Sequence, residues 1–544
     1  MNNNEHLSFY YNMPLSRDGC EEMYVRYHRF ETAGGTADFG TYFNGISIAK
    51  LRRYTNISSL RISFCVFGRV KADIAVRSQD NTQTVIFSEE KSGSFDIDIR
   101  LCDIPEDSVY LYPVLTALCD GVQIISASVY LCGISHKEPS AAIVMCTFRR
   151  EEYVRRNAEY ITAESEKYSL PIKIIIVDNG RTLSEADLPD SVTLIPNDNT
   201  GGSGGFSEGM KAASAMGGFD RLIIMDDDIT LDIISIQKLI GFLRFIKPQY
   251  ADISVSGSML FSDMPCIQFE AGGCFDRHGV QKGYGYSFDL SLPDKVTENE
   301  QEHNINYGGW WFMCMPMRYV DEGNLPLPFF IKYDDVEYAL RCKLRIITLN
   351  GVSVWHERFD NKFNSSAVYY NMRNYLHLCS IHCDDADVAK AVRIRLVEHL
   401  CRQQYNMAQA VLMGYEDYLK GIDYLKSISP SENHAKVSKL NYRFLSEQEI
   451  IRESGVNELS EGIKISENTV RRKSMRLSFY SALLPSFLCR KNAVVPTTDD
   501  RKEMYYKVGT AVHYNFRTHN GYITRHSMRA VMKYLLKYLT RRRK

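Results

Sequence analysis

Residues 221–230 read RLIIMDDDIT, a short apolar run followed by three consecutive carboxylates. An unbroken apolar run of this kind is typical of a strand that is covered on both faces of a parallel sheet. Side chains alternate along a strand, so Asp226 and Asp228 lie on one side and Asp227 on the other. Two carboxylates on one side provide the hard oxygen ligands that suit Mn²⁺ or Mg²⁺. The stretch therefore predicts an α/β sheet with a candidate divalent metal site at the end of one strand.

Two similar strands lie upstream, AAIVMCTF at residues 141–148 and IKIIIVDNG at residues 172–180, and helical segments separate the strands. This alternation predicts a mostly parallel, Rossmann-like sheet, in which ligands bind beyond the carboxyl ends of the strands. Polar side chains follow both strands at that edge, with Thr147 and Arg150 after the first and Asp178 after the second. We expect these side chains to face one ligand together with the carboxylates of the third strand.

A glycine-rich segment, NTGGSGGF at residues 199–206, lies between two strands of the predicted sheet. It precedes the helical pattern SEGMKAASAM, so we expect a loop followed by a helix. Glycines in such a loop let the backbone approach a ligand closely, and the helix N-terminus presents free amide N–H groups. An isolated glycine cluster is more often a flexible turn, but the position of this one favours ligand binding.

Three further motifs follow downstream, YGGWWF, IKYDDVEY and VWHE. The paired Trp310 and Trp311 offer flat faces on which sugar C–H groups can stack. Asp334 and Asp335 are adjacent carboxylates in a mostly apolar context, a setting that can raise one pKa and leave a general base. His356 could complete a divalent site, although a lone histidine is more often structural.

The sequence divides into three regions. Residues 1–137 are short alternating runs with polar turns, which predict an antiparallel β-sandwich, jelly roll or small barrel. Residues 138–379 hold the α/β pattern. Residues 380–544 predict a helical region that ends in a basic tail.

The whole chain has 65 basic and 66 acidic side chains, which gives no general polyanion-binding character. Basic residues nevertheless dominate residues 467–544, where RLSFYSALLPSFLCRK and MKYLLKYLTRRRK interleave apolar and cationic side chains. Such segments suit an anionic membrane surface, although a solvated basic helix docked on the acidic remainder explains them equally well. We expect no nucleic-acid partner, because no base-reading module is present.

The chain begins without a signal-peptide pattern, and no apolar run is long enough to span a bilayer. We therefore expect a cytoplasmic protein, with peripheral binding to the inner face of the cell membrane through the basic tail.

The ordered set of motifs resembles the inverting family-two glycosyltransferases, which have the GT-A fold. The segments that carry the resemblance are Thr147-x-x-Arg150, Val177-Asp178-Asn179-Gly180, Asn199-Thr200-Gly201-Gly202-Ser203-Gly204-Gly205-Phe206, Asp226-Asp227-Asp228, Tyr333-Asp334-Asp335 and Trp355-His356-Glu357. The three-region layout is similar to that of bacterial galactofuranosyltransferases of the galactan-polymerising type. These enzymes also carry an N-terminal β-domain and a helical C-terminal region.

The resemblance implies a role for each matching residue. It implies a divalent metal, Mn²⁺ or Mg²⁺, held by Asp226, Asp228 and His356, and a catalytic base, Asp335, with Asp334 beside it. It implies donor contacts from Thr147, Arg150, Asp178, Asn199, Gly201, Gly202, Gly204, Gly205 and Asp227, with Arg149 as the alternative to Arg150. It implies acceptor contacts from Glu270, Trp310 and Trp311. Tyr370, Arg373 and Asn374 resemble, less specifically, a segment that lies near the donor.

The expected activity is therefore a metal-dependent, inverting sugar transfer for cell-surface polysaccharide synthesis. The resemblance implies galactofuranose from UDP-galactofuranose as the donor sugar and a hydroxyl of a glycan or lipid-linked glycan as the acceptor. The alternatives are a rhamnosyl- or other hexosyltransferase, a nucleotidyltransferase and a non-catalytic glycan-binding protein. The sequence leaves the oligomeric state open, and a homo-oligomer is one alternative.

Overall fold

We describe a computed structural model of the 544-residue chain. The residues it describes are 5–135, 138–358, 364–454, 493–497, 502–507, 510–515, 520–525 and 527–542. The chain divides into two compact units, which are treated separately. The first comprises Met1–Asp276, Val280–Leu327 and Asp335–Glu357, and the second comprises Arg277–Gly279, Pro328–Asp334 and Arg358–Lys544.

The first unit begins with an antiparallel sheet of seven strands. These are β1 (His6–Asn12), β2 (Arg26–His28), β3 (Thr36–Asp38), β4 (Ile57–Ser78), β5 (Gln83–Arg100), β6 (Ser108–Ala117) and β7 (Gln123–Gly133), with helix α1 (Ile48–Tyr54) between β3 and β4. Strand β4 is 22 residues long and pairs with β7 over its first half, with β6 over its second half and with β5 along its other edge. The antiparallel prediction is confirmed. The described strands form one hydrogen-bonded sheet in which β4 joins both halves, and the sandwich, jelly-roll or barrel arrangement stays a prediction.

The remainder of the first unit is the predicted α/β region. Its strands are β8 (Ala141–Thr147), β9 (Ile172–Asp178), β10 (Thr193–Pro196), β11 (Arg221–Asp226), β12 (Thr230–Leu231), β13 (Ile253–Ser256), β14 (Ser258–Phe261), β15 (Met264–Glu270), β16 (Gly273–Phe275), β17 (Gln281–Gly283), β18 (Phe312–Pro316), β19 (Arg345–Ile347) and β20 (Ser353–His356). Its helices are α2 (Glu151–Lys167), α3 (Gly201–Met216), α4 (Ile234–Arg244), α5 (Pro293–Asn299) and α6 (Asp334–Cys342), of which the last begins one residue before the unit boundary.

The central sheet has the strand order β10-β9-β8-β11-β18-β13-β19. Strands β8 to β11 run parallel, as predicted, and β18 runs antiparallel to β11 and β13. The side chains of β8, β9 and β11 are mostly buried, as expected for strands in the interior of a parallel sheet. The carboxyl ends of β8, β9 and β11 therefore share one edge, which also receives the start of β18.

A smaller sheet of four strands, in the order β12-β20-β14-β15, lies beside this edge. Strand β12 follows the acidic triplet, β20 ends at His356 and β15 ends at Glu270. The small sheet therefore brings three distant parts of the sequence close to the end of β11.

The glycine-rich segment is not a loop before a helix, as the sequence predicted, because helix α3 begins at Gly201. A Cβ atom on Gly205 would lie 2.1 Å from Cys146 Sγ, and one on Gly209 would lie 2.2 Å from a Val144 methyl group. A Cβ on Gly204 would lie 2.4 Å from the Thr200 side chain. Gly205 and Gly209 therefore allow α3 to pack closely on β8, whereas Gly204 leaves room for the Thr200 side chain.

The second unit contains helices and a further antiparallel sheet. Its elements are α7 (Ser365–His382), α8 (Val388–Cys401), α9 (Tyr405–Tyr418), α10 (Ile422–Ser427), α11 (Pro430–Ser438), β21 (Leu445–Ser446), α12 (Glu447–Ser454), β22 (Ala493–Thr497), β23 (Lys502–Lys507), β24 (Thr510–Asn515), β25 (Asn520–Arg525) and α13 (Met528–Arg542). The predicted helices are present, but the strands were missed because charged and polar residues obscure their apolar alternation.

The basic tail is described only in part. The segment RLSFYSALLPSFLCRK lies outside the described residues, so its predicted membrane contact has no structural description. Most of MKYLLKYLTRRRK lies in α13, which buries Tyr534 and Tyr538 against α8 and α9. Within the described part of the chain, every helix is too short or too polar to span a bilayer.

Candidate active site

Asp226, Asp228 and His356 meet at the carboxyl edge of the central sheet. His356 Nε2 lies 3.1 Å from Asp228 Oδ1 and 3.9 Å from Asp226 Oδ2. One potential ligand atom of each residue lies within 4.8 Å of the other two. Two carboxylate oxygens and an imidazole nitrogen are donors that suit Mn²⁺, so the three predicted ligands fit a divalent cation. Among the residues described, no second group of three or more such side chains was found.

Strand pairing explains why these three residues converge. Asp226 ends β11, and the short strand β12 follows two residues after Asp228. Strand β12 pairs with β20 so that Thr230 lies opposite Trp355, which brings the next residue, His356, towards the triplet. His356 Nδ1 lies at hydrogen-bonding distance from the carbonyl oxygen of Glu357. If Nδ1 carries the proton, Nε2 presents a lone pair towards the two carboxylates.

The electrostatics of the cluster favour a bound cation. The pKa of Asp226 is raised because protein surrounds its carboxyl group and because Asp228 and Asp227 repel a further negative charge, although His356 opposes this effect. Burial lowers the pKa of His356, but the hydrogen bond to Asp228 and the charge of Asp226 outweigh burial and raise it. About a third of the Asp226 side chain is exposed, so the cluster is open to a ligand.

Arg150 binds the acidic triplet from the other side. Its Nη1 atom lies 2.7 Å from Asp227 Oδ1 and 2.9 Å from Asp228 Oδ2. Arg150 and Asp227 were predicted to contact the donor nucleotide, and that role stays a prediction because both are engaged with each other here. The alternative residue, Arg149, lies over the Phe148 ring at 5.1 Å.

A buried asparagine that the sequence did not single out fixes the backbone of the triplet. Asn157 lies in α2 and is 5% exposed. Its Nδ2 atom donates hydrogen bonds to the carbonyl oxygens of Asp227 and Ile229, at 2.9 and 3.1 Å. The only signal in the sequence is an amide on the apolar face of an amphipathic helix, which is too common to identify a site.

Asp178 shapes the loop that follows β9. Its carboxylate accepts hydrogen bonds from the backbone N–H groups of Gly180, Thr182 and Leu183 at 2.8, 2.6 and 2.8 Å. Thr147, at the end of β8, lies opposite Asp178 in the parallel pair and is also buried. Both residues lie at the predicted edge, and their donor contacts stay predictions.

Asparagine side chains fix the start of α3 beside this loop. Asn179 Nδ2 donates to the carbonyl oxygen of Gly201 at 2.9 Å, and Asn197 Nδ2 donates to Asn179 Oδ1 at 2.8 Å. Asn199 Oδ1 accepts a hydrogen bond from the Gly201 N–H at 3.2 Å. Asn199 therefore binds the first N–H group of α3, and its predicted donor contact stays a prediction. Asn197 was not singled out from the sequence.

Glu270 is a buried carboxyl group at the end of β15. Tyr307 donates a hydrogen bond to its Oε2 atom at 3.1 Å, and Gln281 Nε2 donates to the Tyr307 hydroxyl at 3.0 Å. Burial raises the pKa of Glu270 to about 8, the Tyr307 hydrogen bond opposes that rise, and the charge of Asp335 adds to it. Glu270 lies across β14 from Val354, so two strand spacings, about 10 Å, separate it from the strand that ends at His356.

The two tryptophans lie at the same edge of the central sheet as Asp226. Met225 pairs with Phe312 at the end of the β11–β18 ladder, so Trp311 immediately precedes that strand pair. Trp310 and Trp311 are 6% and 8% exposed. Trp311 Nε1 donates a hydrogen bond to the carbonyl oxygen of Gly257 at 2.9 Å. Most of both rings is therefore packed in the protein, and their predicted stacking on an acceptor sugar stays a prediction.

Asp334 and Asp335 open helix α6, and Asp335 is the less buried of the two. Asp335 lies close enough to Glu270 and Tyr307 for its charge to raise the pKa of both groups. The structure therefore groups Asp335 with the predicted acceptor carboxylate, and its role as the base stays a prediction.

The loop that leads into α6 is strained and is held by side chains of α7. Phe330, Lys332 and Tyr333 have φ angles of 72°, 72° and 66°, in the left-handed region that side-chain-bearing residues rarely adopt. Asn374 Nδ2 donates to the carbonyl oxygens of residues 329, 331 and 332 at 3.0, 2.8 and 2.9 Å, and Arg373 Nη2 donates to that of residue 329 at 2.8 Å. These two residues, and Tyr370 stacked on Phe330, therefore support this loop, and their donor contacts stay predictions.

The parallel sheet, the Asp-x-Asp and histidine cluster and a family match together define the class of the protein. Residues 142–266 match the family model described as Glycosyl transferase family 2. The chain is a glycosyltransferase with a family 2 domain, and the match covers β8 to the first residues of β15.

The comparisons also found two similar curated proteins. The chain is 26% identical over 438 residues to galactofuranosyltransferase GlfT2 of Mycobacterium tuberculosis, covering 73% of this chain and 67% of that protein. It is 24% identical over 427 residues to galactofuranosyltransferase GlfT2 of Mycolicibacterium smegmatis, covering 72% of this chain and 65% of that protein. The aligned part is thus about two thirds of each relative. Among solved structures, GalNAc-T7 with UDP, GalNAc and Mn²⁺ has a TM-score of 0.35 and 9% identity, covering 73% of this chain and 74% of that one.

Proposed function

We propose that this chain transfers galactofuranose from UDP-galactofuranose to a hydroxyl group of a glycan or lipid-linked glycan. The observation that carries the proposal is the Asp226, Asp228 and His356 cluster at the strand ends of a family 2 glycosyltransferase domain. The similarity to two galactofuranosyltransferases supports the choice of sugar, and it extends well beyond the family 2 domain. The product would enter a cell-surface polysaccharide.

In this proposal Asp335 is the general base of a direct displacement. Its carboxylate accepts the proton of the acceptor hydroxyl while that oxygen forms a bond to the anomeric carbon. The bond from the anomeric carbon to the diphosphate oxygen breaks, and its electron pair leaves with UDP. Attack from the face opposite the leaving group inverts the anomeric centre. A divalent cation held by Asp226, Asp228 and His356 would supply positive charge to the departing diphosphate.

Glu270 and Tyr307 would orient the acceptor beside Asp335. Glu270 Oε1 is buried and has no hydrogen-bond partner among the described residues, so it is available to an acceptor hydroxyl. Tyr307 uses its proton on Glu270 Oε2, and this contact fixes the direction of the carboxyl group. Trp310 and Trp311 would supply an apolar surface for the acceptor sugar.

We place the protein on an anionic membrane surface, where a lipid-linked acceptor would be found. One face of α13 supports this part of the proposal, because Met532, Leu536 and Leu539 are 50%, 55% and 52% exposed. Arg529 and Lys533 are exposed on the same face. Exposed apolar side chains flanked by cations suit the boundary between lipid headgroups and acyl chains.

A donor panel tests the proposal. The full chain is incubated with UDP-galactofuranose, UDP-galactopyranose, UDP-glucose or dTDP-rhamnose and a short galactofuranose oligosaccharide on an alkyl chain. We expect nucleoside diphosphate release and an extended product with UDP-galactofuranose, in the presence of Mn²⁺ and not of EDTA. Faster turnover of another nucleotide sugar would show that galactofuranose is not the preferred donor sugar. Release of pyrophosphate would indicate a nucleotidyltransferase, and glycan binding without turnover of any donor would indicate a binding protein.

A further inference from the structure

Three residues of the N-terminal region contact the strands that carry the candidate metal ligands. We call Arg17, Tyr24 and Phe43 the N-terminal bracket. They lie outside the α/β region and outside the family 2 match, in the segments between β1 and β4.

The bracket contacts Trp355, the residue before His356. The Phe43 ring stacks on the Trp355 ring with centroids 5.6 Å apart, and the Arg17 guanidinium lies 4.1 Å from the centroid of the same ring. Trp355 is 4% exposed, and its Nε1 atom donates a hydrogen bond to the carbonyl oxygen of Pro265 at 3.0 Å. The indole is therefore held in one position by a ring, a cation and a hydrogen bond.

The bracket also contacts Asp232, at the end of β12. The Tyr24 hydroxyl donates a hydrogen bond to Asp232 Oδ2 at 2.8 Å, and Arg17 Nη1 lies 3.9 Å from the same oxygen. Tyr24 is fully buried and stacks on Phe43 with centroids 4.5 Å apart. Arg17 thus touches both groups, and the bracket acts as one connected set.

These two contacts act on one strand pair. Strand β12 leads away from Asp228 and strand β20 leads into His356, and the two strands pair through Thr230 and Trp355. The bracket lies at the end of β12 and on the side chain that precedes His356. Any slip of one strand against the other would therefore change the separation of Asp228 and His356.

We propose that the N-terminal bracket positions the β12–β20 strand pair and thereby sets the distance between Asp228 and His356 for cation binding. The inference rests on the proposed metal site, and it gives the N-terminal region a role in that site. The three bracket residues are positioning residues, since the contacts described here act through Trp355 and Asp232.

The test is a titration of the full chain with Mn²⁺ alone, followed by the electron paramagnetic resonance signal of free Mn²⁺. The first variant, Tyr24→Phe, removes the hydroxyl bound to Asp232 and keeps the ring. The second, Arg17→Met, removes the guanidinium from Trp355. Removing a residue that is hydrogen-bonded to a metal ligand typically weakens metal affinity about 10–100-fold. The bracket is one step further away, so we expect about three- to tenfold weaker binding from each variant.

Two matched controls lie on strands of the N-terminal sheet, Tyr112 on β6 and Arg61 on β4. Tyr112→Phe removes a buried tyrosine hydroxyl that accepts a hydrogen bond from Arg77, and Arg61→Met removes an arginine that pairs with Asp98. Both should bind Mn²⁺ within twofold of the wild type, even where they lower the melting temperature. Weaker Mn²⁺ binding by Arg17→Met would not be a simple charge effect, because removing a positive charge by itself strengthens cation binding.

Three outcomes are decisive. Weaker binding in both bracket variants and not in the controls supports the proposal. Unchanged affinity in the bracket variants, with only a lower melting temperature, overturns it and leaves a purely structural contact. If the wild-type chain fails to bind Mn²⁺ more tightly than Asp228→Ala, the metal site itself fails and the positioning role fails with it.

Discussion

Replacing Glu270 with glutamine should change how the stability of the protein depends on pH. Burial raises the pKa of Glu270 from 4.5 to about 8, with the Tyr307 hydrogen bond opposing this rise and the charge of Asp335 adding to it. Between these two values the folded protein binds more protons than the unfolded chain does. The stabilising effect is therefore fully present below pH 4.5 and is lost as the pH rises through about 8.

The size of the effect follows from the same two values. A change in pKa from 4.5 to about 8 corresponds to about 5 kcal/mol in the free energy of unfolding, which is reached when the pH is below both values. Between pH 6 and pH 8 the wild-type free energy of unfolding should fall by about 2 kcal/mol through this group alone. Glutamine has nearly the same shape, can accept the Tyr307 hydrogen bond and does not titrate. The variant should therefore gain about 2 kcal/mol relative to the wild type over this range.

Thermal unfolding at a fixed scan rate and at pH 6, 7 and 8 measures the effect. About 1 kcal/mol shifts the melting temperature by about 2–4 °C in a domain of moderate size, so a change of about 2 kcal/mol should raise the melting temperature of the variant relative to the wild type by about 4–8 °C. The control is Glu208→Gln, an exposed carboxylate on α3 paired with Lys211. A melting-temperature difference between Glu270→Gln and the wild type that stays constant with pH would refute the reasoning. The same trend in the control would refute it as well.

Four other expectations concern separate parts of the protein. Asp335→Asn should lower kcat by about 10²–10⁴-fold and leave UDP affinity unchanged in calorimetry, and unchanged turnover would remove its role as the base. Asp228→Ala should abolish the Mn²⁺-dependent part of UDP binding, whereas equal UDP affinity with and without Mn²⁺ in the wild type would contradict the metal site. Asn374→Ala removes three hydrogen bonds from the strained loop, and about 2–4 kcal/mol of lost stability should expose residues 329–333 to limited proteolysis. Leu536→Glu should reduce flotation with anionic liposomes, and identical partitioning would argue against α13 as the membrane contact.

The sequence predicted the central sheet and the acidic strand end because both are local patterns. The four residues before Asp226, 222–225, are apolar and buried, and the alternation of Asp226 and Asp228 follows from strand geometry alone. His356 was harder to place, since its contact depends on β12 and β20, which lie far apart in the chain. Its role as a ligand came from resemblance, whereas its position comes from the strand register.

The glycine segment shows where a local pattern misleads. Glycines before a helix predict a loop, but Gly205 lies inside α3, where its missing side chain makes room for β8. The predicted donor contacts of Gly201, Gly202, Gly204 and Gly205 stay predictions. The distance between a helix and the strand beneath it depends on tertiary packing, which composition does not contain. The C-terminal strands β22 to β25 were missed for a related reason, because their pairing partners stabilise strands that have weak apolar alternation.

Arg150 and the bracket point to one physical problem that the chain has to solve. Asp226, Asp227 and Asp228 place three carboxyl groups close together in a partly buried site, where burial and mutual repulsion disfavour their charged forms. Arg150 offsets the charge of Asp227 and part of the charge of Asp228, and Asn157 fixes the backbone of the triplet. The negative charge that is left lies beside His356. Partners that fix the side chains before binding reduce the reorganisation that ligand binding requires. The N-terminal region completes the same arrangement from outside the α/β fold, because it fixes the one ligand strand that the central sheet does not contain.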